Sequence, residues 1–484
     1  MWRPRKTNYT GVVAAAAVAW LCTPLHAQAP ASPDEPWPIP AGAGARALSG
    51  LHADGNTPPL DFRRPYDLPA LIDLAQRSSP ETRAAWEVAR EAAADIGLVE
   101  SAYLPQLSLQ ALGGFEHTPL PAPKNLVPAG YFVSNTHELI PALAIKWLLF
   151  DFGQRAAKLE AVRADSFVAN VSFTAAHQKL VFTVSQAYFN LGAAQGRFHA
   201  AQKALSTAGV SLDATTAKRA NGLATVVAVA QTERQAAQAR YNLAQAEGAV
   251  NTAQANLVAA LGIPADSKLE VVDSSQLALP PSPSKNVAAA IRDAFTHRPD
   301  VIAALGLIDS AEAALKSAEL SHRPVIEMSA HAFQNFGSVS SDGRPYSSVD
   351  KPGANILFLF KLPLLDGGER ASRVSAAKAK VRQAEARLAA ARDAAATQVV
   401  KAHNDLVTSL AAYEAADAVG QAARTSYDAA LRSYQQGVGT YTDLAAEENA
   451  MAQAEAQIED ARAAAHSAAA AMAFAMGSLQ SDTP

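Results

Sequence analysis

Thiols are almost absent from this sequence: among 484 residues there is one cysteine, Cys22, so no internal disulfide can form. Charge is scarce too. Asp, Glu, Lys and Arg make up 18% of the chain, low for a cytosolic protein, and the net charge of −4 gives no basis for nucleic-acid binding. Beyond the N-terminus no apolar run reaches the roughly 18 residues that a membrane-spanning helix needs. Catalytic signatures are missing: there is no His-Glu-x-x-His, no Gly-x-Ser-x-Gly and no Walker loop. Gly42-x-Gly44-x-x-Ala47 has the outline of a dinucleotide fingerprint, but it lies in a Pro-rich stretch with no strand before it. His117, His137 and His331 are scattered near expected strands and read as surface or lumen residues. No catalytic, cofactor or metal site is expected, and the chain does not read as an enzyme.

A hydrophobic share of 49% is nevertheless too high for a disordered chain, and the length allows roughly three ordinary domains. That leaves a soluble helical protein or a membrane β-barrel. The N-terminus favours export. Arg3, Arg5 and Lys6 precede an apolar stretch from Gly11 to Leu25 that ends in Ala27 and Ala29, the pattern of a signal peptide over 1–27. Cys22 lies within it behind Trp20 and Leu21, where a lipidation signal calls for a small residue. Residues 28–65 carry eight prolines, among them Pro30, Pro36 and Pro59, and read as an extended leader.

The rest of the chain is a tandem duplication. Pro80, Glu100 and Pro105 recur as Pro299, Glu319 and Pro324, at an offset of 219. Asp151, Gly153, Arg155, Gly222, Thr225 and Gly262 recur as Asp366, Gly368, Arg370, Gly437, Thr440 and Gly477, at an offset of 215. The copies span 66–262 and 286–479, with a Pro/Ser-rich linker over 263–285 and a tail over 480–484.

Each copy reads as helix, strand, loop, strand, very long helix, tight turn and helix. Period-two alternation marks strands near 106–115 and 325–333. A segment near 139–150 ending in Ile145-Lys146-Trp147-Leu148-Leu149-Phe150 and one near 355–365 that is apolar on both faces read as the second strands, with loops from Glu116 to Thr136 and from Gln334 to Pro352 between. Such half-polar strands suit a wall with lipid on one side and a lumen on the other. Asp151 and Asp366 stand three residues before Gln154 and Glu369, so both are expected as N-caps of a capping box. From there no proline intervenes before Gly222 or Gly437, which allows helices of about 65–70 residues, about 100 Å long. Leu180, Val184, Ala187, Leu191 and Ala194 open a 4-3 spacing, and Val229, Thr232, Ala236 and Ala239 a 3-4 spacing, the period of coiled-coil packing. Glu455, Glu459, Asp460 and Arg462 are expected on a solvated helix face.

The duplication, the paired Asp-x-Gly-x-Arg junctions and the paired Gly-x-x-Thr turns together resemble the TolC-like outer-membrane efflux family over about residues 67–479. The resemblance implies a mainly α chain with a membrane β part. Long antiparallel hairpins would form a periplasmic α-barrel, and four strands per chain would join a homotrimeric twelve-stranded β-barrel in outer-membrane lipid. It implies a passive exit duct for small molecules, coupled through a periplasmic adaptor to an inner-membrane transporter. Adaptor docking carries over to Gly222 and Leu223 in the first tip and to Gly437 and Val438 in the second. The periplasmic gate carries over to Tyr434 and Asp443, although Thr440-x-x-Asp443 is also a capping-box spacing. Gly439 and Ala446 stand where the family pattern has an arginine and a further acid, so a weaker or differently built latch is expected. Two alternatives remain: the exit duct of a one-step protein-secretion system, and a trimeric coiled-coil adhesin or stalk with its strands gathered at the C-terminus.

Overall fold

The structure is a computed structural model that describes residues 65–274, 277–342 and 344–479. The expected signal peptide, nearly all of the leader and the tail lie outside the described residues. The order is α1 (Leu68–Ser78), α2 (Pro80–Glu100), β1 (Gln106–Pro121), β2 (Tyr131–Phe150), α3 (Gln154–Ala220) and α4 (Val226–Leu261). The second copy repeats it as α5 (Val287–His297), α6 (Pro299–Leu320), β3 (Val325–Ser341), β4 (Ser347–Lys361), α7 (Glu369–Gln435) and α8 (Tyr441–Met476).

The helix expected before the first strand is broken at Ser79, which has extended backbone and caps α2 through its side chain, with Pro80 at N1. Proline forces this because its ring disfavours helical conformation in the residue before it. All four strands pair into one antiparallel sheet of order β1-β2-β3-β4. They are longer than the alternation suggested, because Pro119 and Pro121 on edge strand β1 still allow pairing with Val133 and Tyr131. The connecting loops shrink to residues 122–130 and 342–346, and β4 stops at Lys361 shortly before Pro363.

Register sorts the sheet into two faces. Leu107, Leu109 and Phe115 share one face with Leu139, Leu143, Ile145 and Trp147, and the same face continues through Met328 and Ala330 to Ile356, Phe358 and Phe360. Several of these are more than half exposed, Leu109 at 78% and Phe358 at 67%. The other face carries Gln106, Ser108, Glu116, Lys146, Glu138, Glu327, His331 and Asn355, interspersed with apolar residues that include Leu112, Ile140, Leu148 and Phe333 as well as Leu357 and Leu359 of β4. Among the described residues no helix is long and apolar enough to cross a membrane.

Below the sheet, the long helices α3 and α7 each fold back on a partner, α4 and α8. Near the strands the lateral order is α2-α3-α6-α7, and toward the turns it is α4-α3-α8-α7. Between these levels Leu71, Tyr188, Leu191, Leu257 and Leu261 form the main core, and Ala294, Val399, Leu406 and Met472 a second one in the other copy. The stretch between the copies is no free tether. Ile263 and Leu269 are buried in the main core, Tyr66 bridges to Val271, and the Tyr188 hydroxyl donates to the carbonyl of Val272 at 3.0 Å.

The strand-to-helix junctions correct the expected caps. The N-cap residues are Gly153 and Gly368, at φ +100° and +91°, and neither has a side chain to cap with. Gln154 and Glu369 are thus first helical residues, too early for a capping box. Asp151 and Asp366 act from two residues further out. The Asp151 carboxylate accepts from the amides of Gly153 (3.3 Å) and Arg155 (2.7 Å), and Asp366 from those of Gly368 and Arg370 (both 3.0 Å). These bonds favour the ionised form and hold the Asp366 carboxyl below its ordinary pKa.

The two junctions are otherwise unequal. In the first, Asp151 is buried and the Arg155 guanidinium donates to Asp151 (3.0 Å) and to the carbonyls of Ala102 (2.8 Å), Leu148 (2.8 Å) and Leu149 (3.2 Å), while covering the Tyr103 ring. In the second, Asp366 and Arg370 are exposed. Arg155→Ala is expected to lower stability by about 2–3 kcal/mol, since it strands a buried carboxylate. Arg370→Ala is expected to cost less than about 0.5 kcal/mol in an isolated subunit. Denaturation of both variants in detergent checks the difference.

Candidate gate and docking surface at the hairpin tips

Both hairpins turn on a glycine in left-handed conformation. Gly222 has φ +70°, and the Leu223 amide behind it donates to the carbonyl of Lys218 at 2.8 Å. Gly437 has φ +78°, and the Val438 amide donates to the carbonyl of Ser433 at 3.0 Å. These bonds satisfy last-turn carbonyls that a helix end leaves open. The returning helices start on Thr225 and Thr440, whose hydroxyls accept from the amides of Ala228 (3.1 Å) and Asp443 (3.2 Å). The chain reversal therefore consumes the polar groups and leaves aliphatic side chains outside. Leu223 is 77% exposed and Val438 79% exposed, each at the apex of its hairpin.

Asp443 forms a complete capping box. Its carboxylate accepts from the Thr440 amide (3.3 Å) and hydroxyl (2.7 Å), and it remains exposed. Tyr434, one turn before the glycine, lies edge-on to Tyr441 at 6.0 Å. Its face is covered by Lys218 of the other hairpin, with Nζ 4.2 Å from the ring centroid. The two proposed gate residues thus differ in kind: Asp443 stays within its own helix start, whereas Tyr434 joins the two tips. A cation above an aromatic face contributes about 0.5–1 kcal/mol at an exposed site. Local pattern could not single out Lys218, because the ring it covers lies on a different helix 216 residues further along the chain.

Above the tips a polar ladder links α3 and α4 to α8. Arg197 pairs with Asp460 (2.9 Å), Lys203 with Glu455 (2.6 Å), Ser211 donates to Glu448 (3.1 Å), and Gln235 donates to Asn449 (2.7 Å). Glu455, Glu459 and Arg462 are consequently partly buried instead of lying on a solvated face. The α8 face carrying them turns toward the other hairpin, a decision of tertiary packing that period alone does not make. Beside the ladder, Lys203, Gln238, Asn242, Glu448 and Met451 line a cavity of about 410 Å³ between the hairpins.

Burial shifts the pKa of several groups here, Tyr441 and Glu448 among them. Burial pushes the Tyr441 hydroxyl up to about 12, helped by Glu448 and Tyr434, and that hydroxyl is buried without a hydrogen-bond partner. Burial also raises the Glu448 carboxyl above its ordinary 4.5, with the Ser211 hydroxyl acting against the shift. A carboxyl with a raised folded pKa stabilises the fold when protonated, and that contribution is lost as pH rises through the folded value. Acidification from neutrality toward 4.5 is therefore expected to tighten the contact between the hairpins. Glu448→Gln should make it insensitive over that range, as read by hydrogen exchange at the tips in both proteins.

Among the described residues no cluster of three metal-ligating side chains occurs. The sequence model of one family, described as "Outer membrane efflux protein", matches residues 71–263 and 290–478. Protein CyaE of Bordetella pertussis is 27% identical over 395 residues, covering 82% of this chain and 77% of that protein. The crystal structure of the outer membrane protein VceC of Vibrio cholerae superposes with a TM-score of 0.65 at 20% identity, covering 85% of this chain and 96% of that one. The open state of the MtrE outer membrane channel of Neisseria gonorrhoeae gives 0.69 at 22% identity, covering 86% and 90%. With the repeat, the single sheet and both hairpins inside the matched segments, the chain belongs to the outer membrane efflux protein family, whose members are TolC-like outer-membrane channels and not enzymes.

Proposed function

We propose that this chain is one third of a passive exit duct: a homotrimer whose sheets close a twelve-stranded barrel in outer-membrane lipid and whose hairpins extend the conduit into the periplasm. The observation that carries this reading is the four-stranded sheet, largely apolar on one face and more polar on the other, whose two outer strands are each paired on one side only among the described residues. In hydrocarbon, each unpaired backbone group costs several kcal/mol, and four strands are too few to close a barrel alone. Pairing β1 of one copy with β4 of the next removes both edges at once. The polar faces then enclose water and the Leu/Phe/Ile faces meet lipid.

As a member of a channel family, the duct takes its energy from elsewhere. The exposed Leu223 and Val438 beside Gly222 and Gly437 give the tips a small apolar surface suited to a periplasmic adaptor, which would couple the conduit to an inner-membrane transporter. The cargo class that fits a family of efflux proteins is small molecules. The two strand pairs lie within the chain and share one sheet, unlike the C-terminal strands of a barrel-anchored adhesin.

At the narrow end, Tyr434 clamped by Lys218 and a ring of three Asp443 carboxylates would form the closed gate. Single-channel recording in planar bilayers tests this. Lys218→Met should raise the open probability of the purified trimer by about two- to fivefold, the equivalent of 0.5–1 kcal/mol. Asp443→Asn should reduce its cation preference. Wild-type conductance and selectivity in both variants would remove these residues from the gate.

A further inference from the structure

The two open edges of the sheet continue into the two open edges of the helical layer. β1 follows α2, β4 leads into α7, and among the described residues neither helix has a neighbour on its outer side. The duplication shows what such an edge is built to meet. α2 repeats α6 and α7 repeats α3, and α6 and α3 already pack against each other within the chain. There the joint is close and largely apolar: a Cβ on Gly306 would lie 2.8 Å from Val168 and 2.9 Å from Phe167. Further up, Lys316 donates to Glu160 at 3.0 Å.

Transferred by the repeat offsets, Glu87 of α2 stands where Gly306 stands, and Arg382 of α7 where Phe167 stands. In the same antiparallel register Glu91 and Lys378 replace Ser310 and Arg163, and Arg83 and Glu385 replace Ile302 and Asn170 within one residue. Each of the three places pairs opposite charges. All six side chains are exposed, and within the chain only Glu87 has an ion pair among the described residues, an exposed one with Arg90 at 3.2 Å. Ala84 and Ala94 on α2, and Ala379 and Ala386 on α7, flank the charges with small residues that let two helices approach.

We propose that α2 of one copy docks antiparallel on α7 of the next through Glu87–Arg382, Glu91–Lys378 and Arg83–Glu385. The seam between subunits is thereby closed by charge where the corresponding seam within a subunit is closed by apolar packing. The proposal rests on the trimeric reading above and adds to it the contact that selects partner and register. Opposed charges at three successive places penalise any slip along the helix, because a shift brings like charges together. The β edges, which hydrogen-bond equally well in several registers, lack that discrimination.

Cross-linking of the full chain in outer-membrane extracts tests the seam. The variant Glu87→Cys/Arg382→Cys, treated with a short bismaleimide, should give covalent dimers and trimers on a denaturing gel. Neither single variant should do so, and Glu87→Cys/Arg392→Cys, displaced along the helix, should link poorly. Absence of linking in a double variant that still migrates as an oligomer on a native gel overturns the seam and leaves the trimer standing. A wild-type chain that is monomeric in the membrane overturns the trimeric reading itself. Charge reversal separates ion pairing from mere proximity: Glu87→Lys and Arg382→Glu should each lower the heat-resistant oligomer fraction several-fold at low salt, and their combination should restore it. Failure of the combination to restore it, with cross-linking intact, overturns the ion pairs.

Discussion

A backbone hydrogen-bonding group in hydrocarbon has no water to turn to, and that constraint organises this protein. The sheet satisfies the groups between β1 and β2, β2 and β3, and β3 and β4, and leaves the outer edges of β1 and β4 open. A chain with one apolar sheet face and two open edges is incomplete in lipid by itself. The proposed trimer follows from this shortfall, and the hollow conduit follows from closure.

The same incompleteness extends below the membrane because the helices inherit the order of the strands. β1, β2, β3 and β4 join α2, α3, α6 and α7, so the sheet order 1-2-3-4 becomes the helical order α2-α3-α6-α7. Arg155 fixes one such continuation, holding carbonyls at the end of β2 and beyond α2 from the first turn of α3. Its counterpart Arg370 makes no such contacts at the outer edge, where the first junction's surroundings are not reproduced within one chain.

Further from the membrane, packing changes character. Near the strands the α3–α6 joint is largely apolar, Lys316–Glu160 aside, and close enough at Gly306 to crowd any added Cβ, whereas toward the tips α3 meets α8 through Arg197–Asp460, Lys203–Glu455 and Ser211–Glu448. Exposed and half-exposed ion pairs hold weakly, about 0–1 kcal/mol each, while apolar cores resist rearrangement. The hairpins are therefore joined more firmly near the strands and more loosely toward the tips, where the proposed gate would move.

Glycine, proline and the 3.5-residue period made the repeat, the long hairpins, both tip turns and the position of all four strands readable from the chain, because each reports local backbone demands. The lengths of the strands and the place of Asp151 were not readable: pairing partners extended the former, and Phe152 and Gly153 in left-handed conformation displaced the cap from the latter. Asp443 as a cap was legible because Thr440 lies three residues before it, but Lys218 over Tyr434, and Glu448 against Ser211, join separate hairpins. Sequence alone thus determined what each segment is, since turns and periods act over a few residues. Tertiary structure decided which polar side chains meet and which edges stay open, since those depend on helices brought together from opposite halves of the duplication.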